Sequence, residues 1–173
     1  FEGKGARFDG LELRKGAGLI RGAAHITWGG TYSFNVDGRQ IPVEAVEALS
    51  FPKTPLTGVL DFSASGSGVF TNMEYDVNGR IRDLYVGDEG IGQVNGKIGM
   101  RGDNVNFEFQ AASTRLEASM LGQVNRRSVS YPGDITLRVT DTSLDPYARL
   151  FAANLSPFAR AIVSGTARIS GTF

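Results

Sequence analysis

The sequence predicts an all-β protein, an elongated antiparallel sheet with one apolar face and two short helical inserts. About ten segments place apolar side chains at every second position, most regularly in Val105–Ala111. Because successive side chains of a strand leave on opposite faces, each segment has one apolar and one polar face. The 23 glycines are about twice the usual number and follow no G-X-Y period. Such glycines are typical of strands with bends and bulges.

Three predicted strands open the chain, near residues 5–14, 18–28 and 31–37. The segment Ile41–Leu49 then breaks the alternation, because Val43, Val46 and Leu49 recur at every third position. Pro42 suits a first helical position, so one or two helical turns are expected here. Six further strands are predicted near residues 56–66, 73–86, 91–101, 104–112, 115–124 and 133–140.

A second helical insert is predicted before a last strand at about 160–173. Asp145 suits an N-cap and Pro146 the first helical position, with Tyr147, Leu150 and Phe151 on one face. Pro42 and Pro146 are 104 residues apart and follow similar strands. Residues 1–173 are therefore predicted to be a single segment of a longer repeat protein, about one repeat of roughly 104 residues plus flanks.

Dipeptides with glycine predict where the strands are interrupted. Turns are expected at Asp37-Gly38, Gly87-Asp88, Gly102-Asp103 and Pro132-Gly133. Asn78-Gly79 and Asn95-Gly96 lie inside alternating runs. Bulges are the better interpretation for those two pairs.

Composition excludes several classes of function. The 18 basic and 18 acidic residues cancel, whereas a nucleic-acid-binding protein needs a basic surplus to neutralise phosphates. The chain has no cysteine, so disulfides and thiolate metal sites are excluded. The sequence contains no run of 18 apolar residues, so no membrane-spanning helix is predicted.

No group of residues matches a catalytic template. His25, the only histidine, lies on the polar parity of its strand and is predicted to be a surface residue. Asp83, Asp88 and Glu89 lie close to glycines, so they are interpreted as turn formers rather than as an acid/base or calcium site. The sequence therefore predicts a protein that is not an enzyme and needs no cofactor or metal.

Three stretches resemble the repeat region of AsmA/TamB-type proteins. They are Arg82–Val94 followed by Val105–Phe109, Thr140–Tyr147 leading into a glycine-bounded strand, and Pro55–Phe62, which resembles the strand that opens each repeat. The resemblance covers most of the chain from about residue 18. Its motifs are degenerate, since they encode strands and turns rather than a site.

The resemblance implies a segment of a periplasmic, bridge-like lipid-transport protein whose parent is anchored in the inner membrane. It implies an antiparallel β-sheet curled into an open apolar trough, a "β-taco". This conduit would shield phospholipid acyl chains between the inner and outer membranes and support outer-membrane integrity and assembly. An outer-membrane barrel is the implied partner of some members. Carried over to this chain, the implied lipid-lining residues are the inward parity: Leu60, Phe62, Tyr75, Val77, Ile81, Val94, Ile98, Met100, Val105, Phe107, Phe109, Leu116, Met120, Ile135, Leu137, Val139 and Ile169.

Two alternatives stay open on the pattern alone. A β-sandwich binding or adhesion module would cover the same apolar positions with a second sheet. An outer-membrane β-barrel shares the ten-residue alternating strands, although Trp28 and the scattered tyrosines form no girdles. In every case the open strand edges of the chain favour edge-to-edge self-association.

Overall fold

The chain forms one open antiparallel sheet of ten strands. The structure, a computed structural model, describes residues 4–49, 54–127, 131–143 and 161–172. The strand order in the sheet is the order in the sequence, so each strand pairs with its predecessor and its successor. The strands are β1 Gly5–Lys15, β2 Gly18–Thr27, β3 Thr31–Pro42, β4 Leu56–Val69, β5 Glu74–Val86, β6 Glu89–Arg101, β7 Asn104–Ala112, β8 Glu117–Asn125, β9 Pro132–Ser143 and β10 Ile162–Thr172.

The predicted all-β class and all ten predicted strands are confirmed. With neighbouring strands about 4.8 Å apart, ten of them extend roughly 43 Å across the sheet. Within the described residues, β1 pairs only with β2 and β10 only with β9. The sheet therefore has two free edges and does not close on itself.

The first helical insert consists of two short 3-10 helices, Val43–Ala45 and Glu47–Leu49. Pro42 is not in the helix as predicted, but ends β3 with an extended backbone and precedes the first 3-10 helix. The hydrogen bonds from Val46 to Val43 and from Leu49 to Val46 agree with the three-residue recurrence of these side chains. The second predicted insert, with Asp145, Pro146, Tyr147, Leu150 and Phe151, lies outside the described residues.

Two of the four predicted turns are confirmed. Gly87 and Gly102 adopt positive φ angles of 60° and 59° between β5 and β6 and between β6 and β7. The predicted turn at Asp37-Gly38 is wrong, because this pair lies within β3 in regular pairing with β2 and β4. The predicted turn at Pro132-Gly133 is wrong too, because these two residues begin β9 and pair with β10. The predicted bulges at Asn78-Gly79 and Asn95-Gly96 are also wrong, since both pairs lie in regular register within continuous strands.

The bulges lie elsewhere, and several follow one pattern. β1, β3, β5 and β9 each contain an extra residue relative to the next strand, and the backbone there takes a positive φ: Gly10, Gln40, Asp83 and Asp141. A bulge bends its strand and increases the local twist. The residues after three of them, Ile41, Leu84 and Thr142, are buried.

Candidate functional site: the apolar face of the sheet

The pairing register assembles one face of the sheet from apolar side chains. Directly opposite residues of paired strands project from the same face, so a row can be followed across the sheet from partner to partner. The row through Phe107 contains Leu11, Gly22, Val36, Ala64, Val77, Ile98, Phe107, Gly122, Ile135 and Ile169. Every strand contributes to this row, and none contributes a polar side chain.

The rows on either side of it are equally apolar. One contains Phe8, Ala24, Phe34, Gly66, Tyr75, Met100, Val105, Val124, Gly133 and Gly171. The other contains Leu13, Ile20, Gly38, Phe62, Gly79, Gly96, Phe109, Met120, Leu137 and Ala167. A fourth row runs from Ile41 in β3 to Val139 in β9.

The opposite face is polar. Its row through Glu108, one residue further along β7 than Phe107, contains Glu12, Arg21, Asp37, Ser63, Asn78, Lys97, Glu108, Leu121, Thr136 and Arg168. Leu121 is the one apolar side chain in this row. Apart from Leu121, adjacent rows of the sheet therefore differ in chemistry, as the alternation in the sequence predicts.

Sixteen of the seventeen predicted lining residues lie on the apolar face. Leu116 is the exception, since it lies in the connection between β7 and β8, where its backbone is held by Ser113. The register thus brings the predicted positions together, from Leu60 in β4 to Ile169 in β10. Their role in contacting lipid stays a prediction.

The apolar face has no second protein layer in the described part of the chain. Among the hydrophobic residues of that part, only Ile41, Val43, Leu84 and Met100 are buried. Most predicted lining positions are half-buried by their neighbours in the sheet, whereas Leu137 and Ile169 are 40% and 55% exposed. Side chains in a sealed core would be almost wholly inaccessible.

Glycines and aromatic rings fit together on the apolar face. A β-carbon added at Gly96 would lie 2.7 Å from the ring of Phe109, and one added at Gly66 would lie 2.7 Å from the ring of Phe34. The rings of Phe62 and Phe107 occupy the corresponding spaces at Gly38 and Gly122. The rings therefore lie against the backbone of the neighbouring strand, the arrangement known as aromatic rescue of a strand glycine.

An aromatic hollow lies toward one end of β2 to β5 on the same face. Its volume is about 430 Å³, and its lining includes Tyr32, Phe34, Phe70 and Met73. The Tyr32 ring stacks on Phe70 with the ring centroids 5.3 Å apart. The Tyr32 hydroxyl donates to the backbone oxygen of Glu74 at 2.9 Å and accepts from its N–H at 2.7 Å. These two bonds fix the ring, so the hollow is preorganised.

The β1 to β3 part of this face is absent from the predicted lining residues. Phe8, Leu13, Ile20 and Phe34 belong to it by register. A signal is present in the sequence for β3, where Tyr32, Phe34 and Val36 alternate with polar residues. For β1, the extra residue at the bulge shifts Leu11 and Leu13 out of simple alternation with Phe8.

Exposed ion pairs organise the polar face. Arg168 binds both carboxylate oxygens of Asp134, with its closest contact at 2.6 Å, and this hydrogen bonding raises the pKa of Arg168. Hydrogen bonds from Arg14 and then from Arg21 lower the pKa of Glu12. Because these groups are exposed to water, each pair contributes little to stability.

Two depressions of about 690 and 540 Å³ lie on the polar face. A twisted sheet is saddle-shaped, so each face is concave along one direction. The side chains lining these depressions include Asp61, Arg80 and Lys97 in the first and Asp134 in the second. Charged side chains are solvated by water far better than by hydrocarbon, so the apolar face is the better candidate for a site that binds an apolar ligand.

The residues weighed as catalytic candidates are dispersed. His25 lies half-buried on the polar face beside Arg7 and Ser33. Asp83 occupies the β5 bulge with a φ of 50°, whereas Asp88 lies in the following turn. Within the ranges that the structure describes, no three histidine or carboxylate side chains converge on a position for a metal ion. The described helices are all too short to span a membrane.

Comparisons of the chain with protein-family models, with curated proteins and with solved structures give no match. The resemblance to the AsmA/TamB-type repeat region therefore rests on its three sequence stretches alone, within Pro55–Phe62, Arg82–Phe109 and Thr140–Tyr147.

Proposed function

We propose that this chain is a lipid-conducting segment whose apolar face shields phospholipid acyl chains from water. The observation that carries the proposal is the open apolar face, which receives a side chain or a glycine from every one of the ten strands. In this proposal the sheet curls toward that face to form a trough, and the headgroups stay in water at its mouth. No catalytic step is involved.

The size of the apolar face supports the proposal that this face binds an apolar ligand or partner. Three rows two residues apart and ten strands across outline an area of roughly 13 Å by 43 Å, and the fourth row extends it to about 20 Å. That outline is about 900 Å², larger than the roughly 300–600 Å² of the largest apolar patch on a typical monomer. A face of this size favours an apolar ligand or partner.

The distribution of glycines supports curling toward the apolar face. Nine glycines belong to its rows, at positions 22, 38, 66, 79, 96, 122, 133, 165 and 171. Missing side chains reduce the volume on that side of the sheet, and glycine kinks are a known means of bending strands. A sheet that curls this way encloses its apolar rows.

The energetics fit hydrocarbon as the guest. Two acyl chains exposed to water lose roughly 20 kcal/mol or more relative to an apolar environment, at about 0.8 kcal/mol for each CH₂ group. A continuous apolar wall offsets most of this loss at every position along the path. We propose that the parent protein works in the periplasm between the inner and outer membranes, in support of the outer membrane and with a barrel partner there.

Matched substitutions on the two faces test the proposal. Leu137 and Leu121 lie on the adjacent strands β9 and β8, on the apolar and the polar face respectively, and are 40% and 60% exposed. Leu137→Arg should lower the amount of phospholipid that copurifies with the chain by about tenfold, since a charge is unfavourable in contact with hydrocarbon. Leu121→Arg should leave it unchanged. Native mass spectrometry measures both, and equal lipid content in the two variants would contradict the proposal.

A further inference from the structure

We infer that Arg126 and the aromatic hollow form one binding site for an anionic phospholipid. The phosphate of the headgroup lies on the Arg126 guanidinium, and an acyl chain of the same molecule lies in the hollow. This inference rests on the proposed lipid-shielding function and deepens it, because it names the class of lipid that this part of the apolar face selects.

The guanidinium of Arg126 lies at the boundary between the apolar face and water. Arg126 follows β8, in the connection to β9, and its Nη1 atom donates to the sulfur of Met100 in β6 at 3.9 Å. Met100 belongs to the apolar row that contains Tyr75 and Val105, and it is 4% exposed. Arg126 itself is exposed. An arginine that packs on apolar surface while its charge stays in water is typical of such a boundary.

Two backbone hydrogen bonds position the start of this connection. The N–H of Arg126 donates to the backbone oxygen of Asp103, in the β6–β7 turn, at 2.8 Å. The N–H of the next residue, Arg127, donates to the side-chain oxygen of Asn125 at 2.9 Å. The backbone of Arg126 is therefore tied to the turn that follows Met100, and the place of its guanidinium is a property of the fold.

The charge of Arg126 has no carboxylate partner among the described residues. Arg101, Arg127 and Arg168, by contrast, each form an ion pair with an aspartate. A guanidinium presents a planar set of N–H donors that matches the oxygens of a phosphate. A cation without a carboxylate, placed against apolar surface, is complementary to an anionic amphiphile.

The aromatic hollow is the direct neighbour of this cation. Tyr75 belongs to the lining of the hollow and lies opposite Met100 on the adjacent strand, and such partners have Cα atoms about 5 Å apart. The volume of about 430 Å³ is in the range of small-molecule sites. The Tyr32 hydroxyl is occupied by the backbone of Glu74, so rings and aliphatic side chains form most of the lining. The hollow therefore suits hydrocarbon, and the cation beside it suits the headgroup.

Competition between two lipids with identical acyl chains tests the inference. The full chain is saturated with an equimolar mixture of dioctanoyl phosphatidylglycerol and dioctanoyl phosphatidylcholine, and native mass spectrometry measures the ratio of the bound lipids. The wild type should hold about threefold more of the anionic lipid, since the choline ammonium of the other lipid repels the guanidinium. Arg126→Gln should bring the ratio to about one without changing the total of bound lipid.

Arg127→Gln is the matched control. It removes the same charge from the same connection, but its guanidinium pairs with Asp103 instead of lying on Met100. This variant should keep the wild-type ratio. Ala24→Phe tests the hollow, because Ala24 belongs to its lining and is only half-buried, so a larger side chain can extend into the hollow. The ratio should fall toward one in this variant too, although Arg126 is retained.

The outcomes separate this inference from the function on which it rests. Equal binding of the two lipids by the wild type, or an equal loss of preference in Arg126→Gln and Arg127→Gln, would overturn the inference and leave the lipid-shielding function standing. A wild type that binds neither lipid would overturn both.

Inorganic phosphate distinguishes a lipid headgroup from a free anion. Added at the concentration of the lipids, it should leave the bound lipids in place, because it has no acyl chain to fill the hollow. Displacement of phosphatidylglycerol by inorganic phosphate would overturn the inference in favour of a site for free phosphate.

Discussion

At the scale of single residues, the apolar face depends on pairs in which an aromatic ring lies against a glycine of the neighbouring strand. The ring of Phe109 occupies the space that a side chain at Gly96 would need. The ring of Phe107 occupies the corresponding space at Gly122. The rings of Phe107 and Phe109 are themselves 5.9 Å apart on one strand. These contacts fix the rings on the sheet surface without a second layer to hold them.

A substitution at Gly96 should reveal how much these pairs contribute. Gly96→Val should destabilise the fold by about 1–3 kcal/mol, because the new side chain and the Phe109 ring need the same space. Gly165→Val is the matched control, since this glycine also lies on the apolar face and has nothing within 4 Å of an added β-carbon. Urea unfolding measures both. Equal loss of stability in the two variants would contradict the role assigned to the Phe109 ring.

The identity of the residues on the apolar face could largely be predicted from the sequence, whereas the pairs between them could not. Phe107 and Phe109 stand out because they alternate with Asn106, Glu108 and Gln110. The contact between Gly38 and Phe62 depends on the register between two strands, which is a non-local property. This is also why Asp37-Gly38 resembles a turn in the sequence: the glycine serves the close approach of a ring instead.

At the scale of elements, bulges set where the strands bend. Gln40, Asp83 and Asp141 adopt φ angles of 52°, 50° and 39°, a region that non-glycine residues rarely enter. In β3 the N–H of Gln40 bonds the carboxylate of Asp61 at 2.8 Å, which helps to hold the extra residue in place. No local pattern in the sequence marks these bulges, because the residues are not glycine and the bond partner comes from the next strand.

Gln40 offers a test of this bulge. Gln40→Val should lower the free energy of unfolding by about 1–2 kcal/mol, because a β-branched residue is strained at a positive φ. Gln40→Asn should have little effect, since asparagine tolerates this conformation. Thermal unfolding of both variants measures the difference. Equal stability of the valine and asparagine variants would contradict the claim that the bulge requires a positive φ at residue 40.

At the scale of the whole molecule, the same architecture recurs along the sheet. The bulge and side-chain bond of β3 and β4 reappear in β9 and β10, at a spacing close to the repeat length of roughly 104 residues that the sequence predicts. The predicted repeat itself stays a prediction. The all-β class and the ten strands could be predicted because alternation is a local signal. The positions of the bulges and of the glycine–ring contacts could not, because they depend on the register between neighbouring strands.

The β-sandwich alternative requires a second sheet against the apolar rows. All ten described strands belong to one sheet, and most residues of the apolar face remain partly accessible. The proposed lipid-shielding role therefore depends on that face being open to hydrocarbon in solution.

Site-specific photo-cross-linking to labelled phospholipid tests that dependence most directly. A photoreactive side chain replaces Phe107 on the apolar face in one variant and Glu108 on the polar face of the same strand in the other. Because the two positions are adjacent in β7 and project from opposite faces, they differ chiefly in the surface they report. Capture of lipid at position 107 and not at position 108 is the predicted result. Equal capture at both positions, or none at either, would contradict the lipid-shielding role.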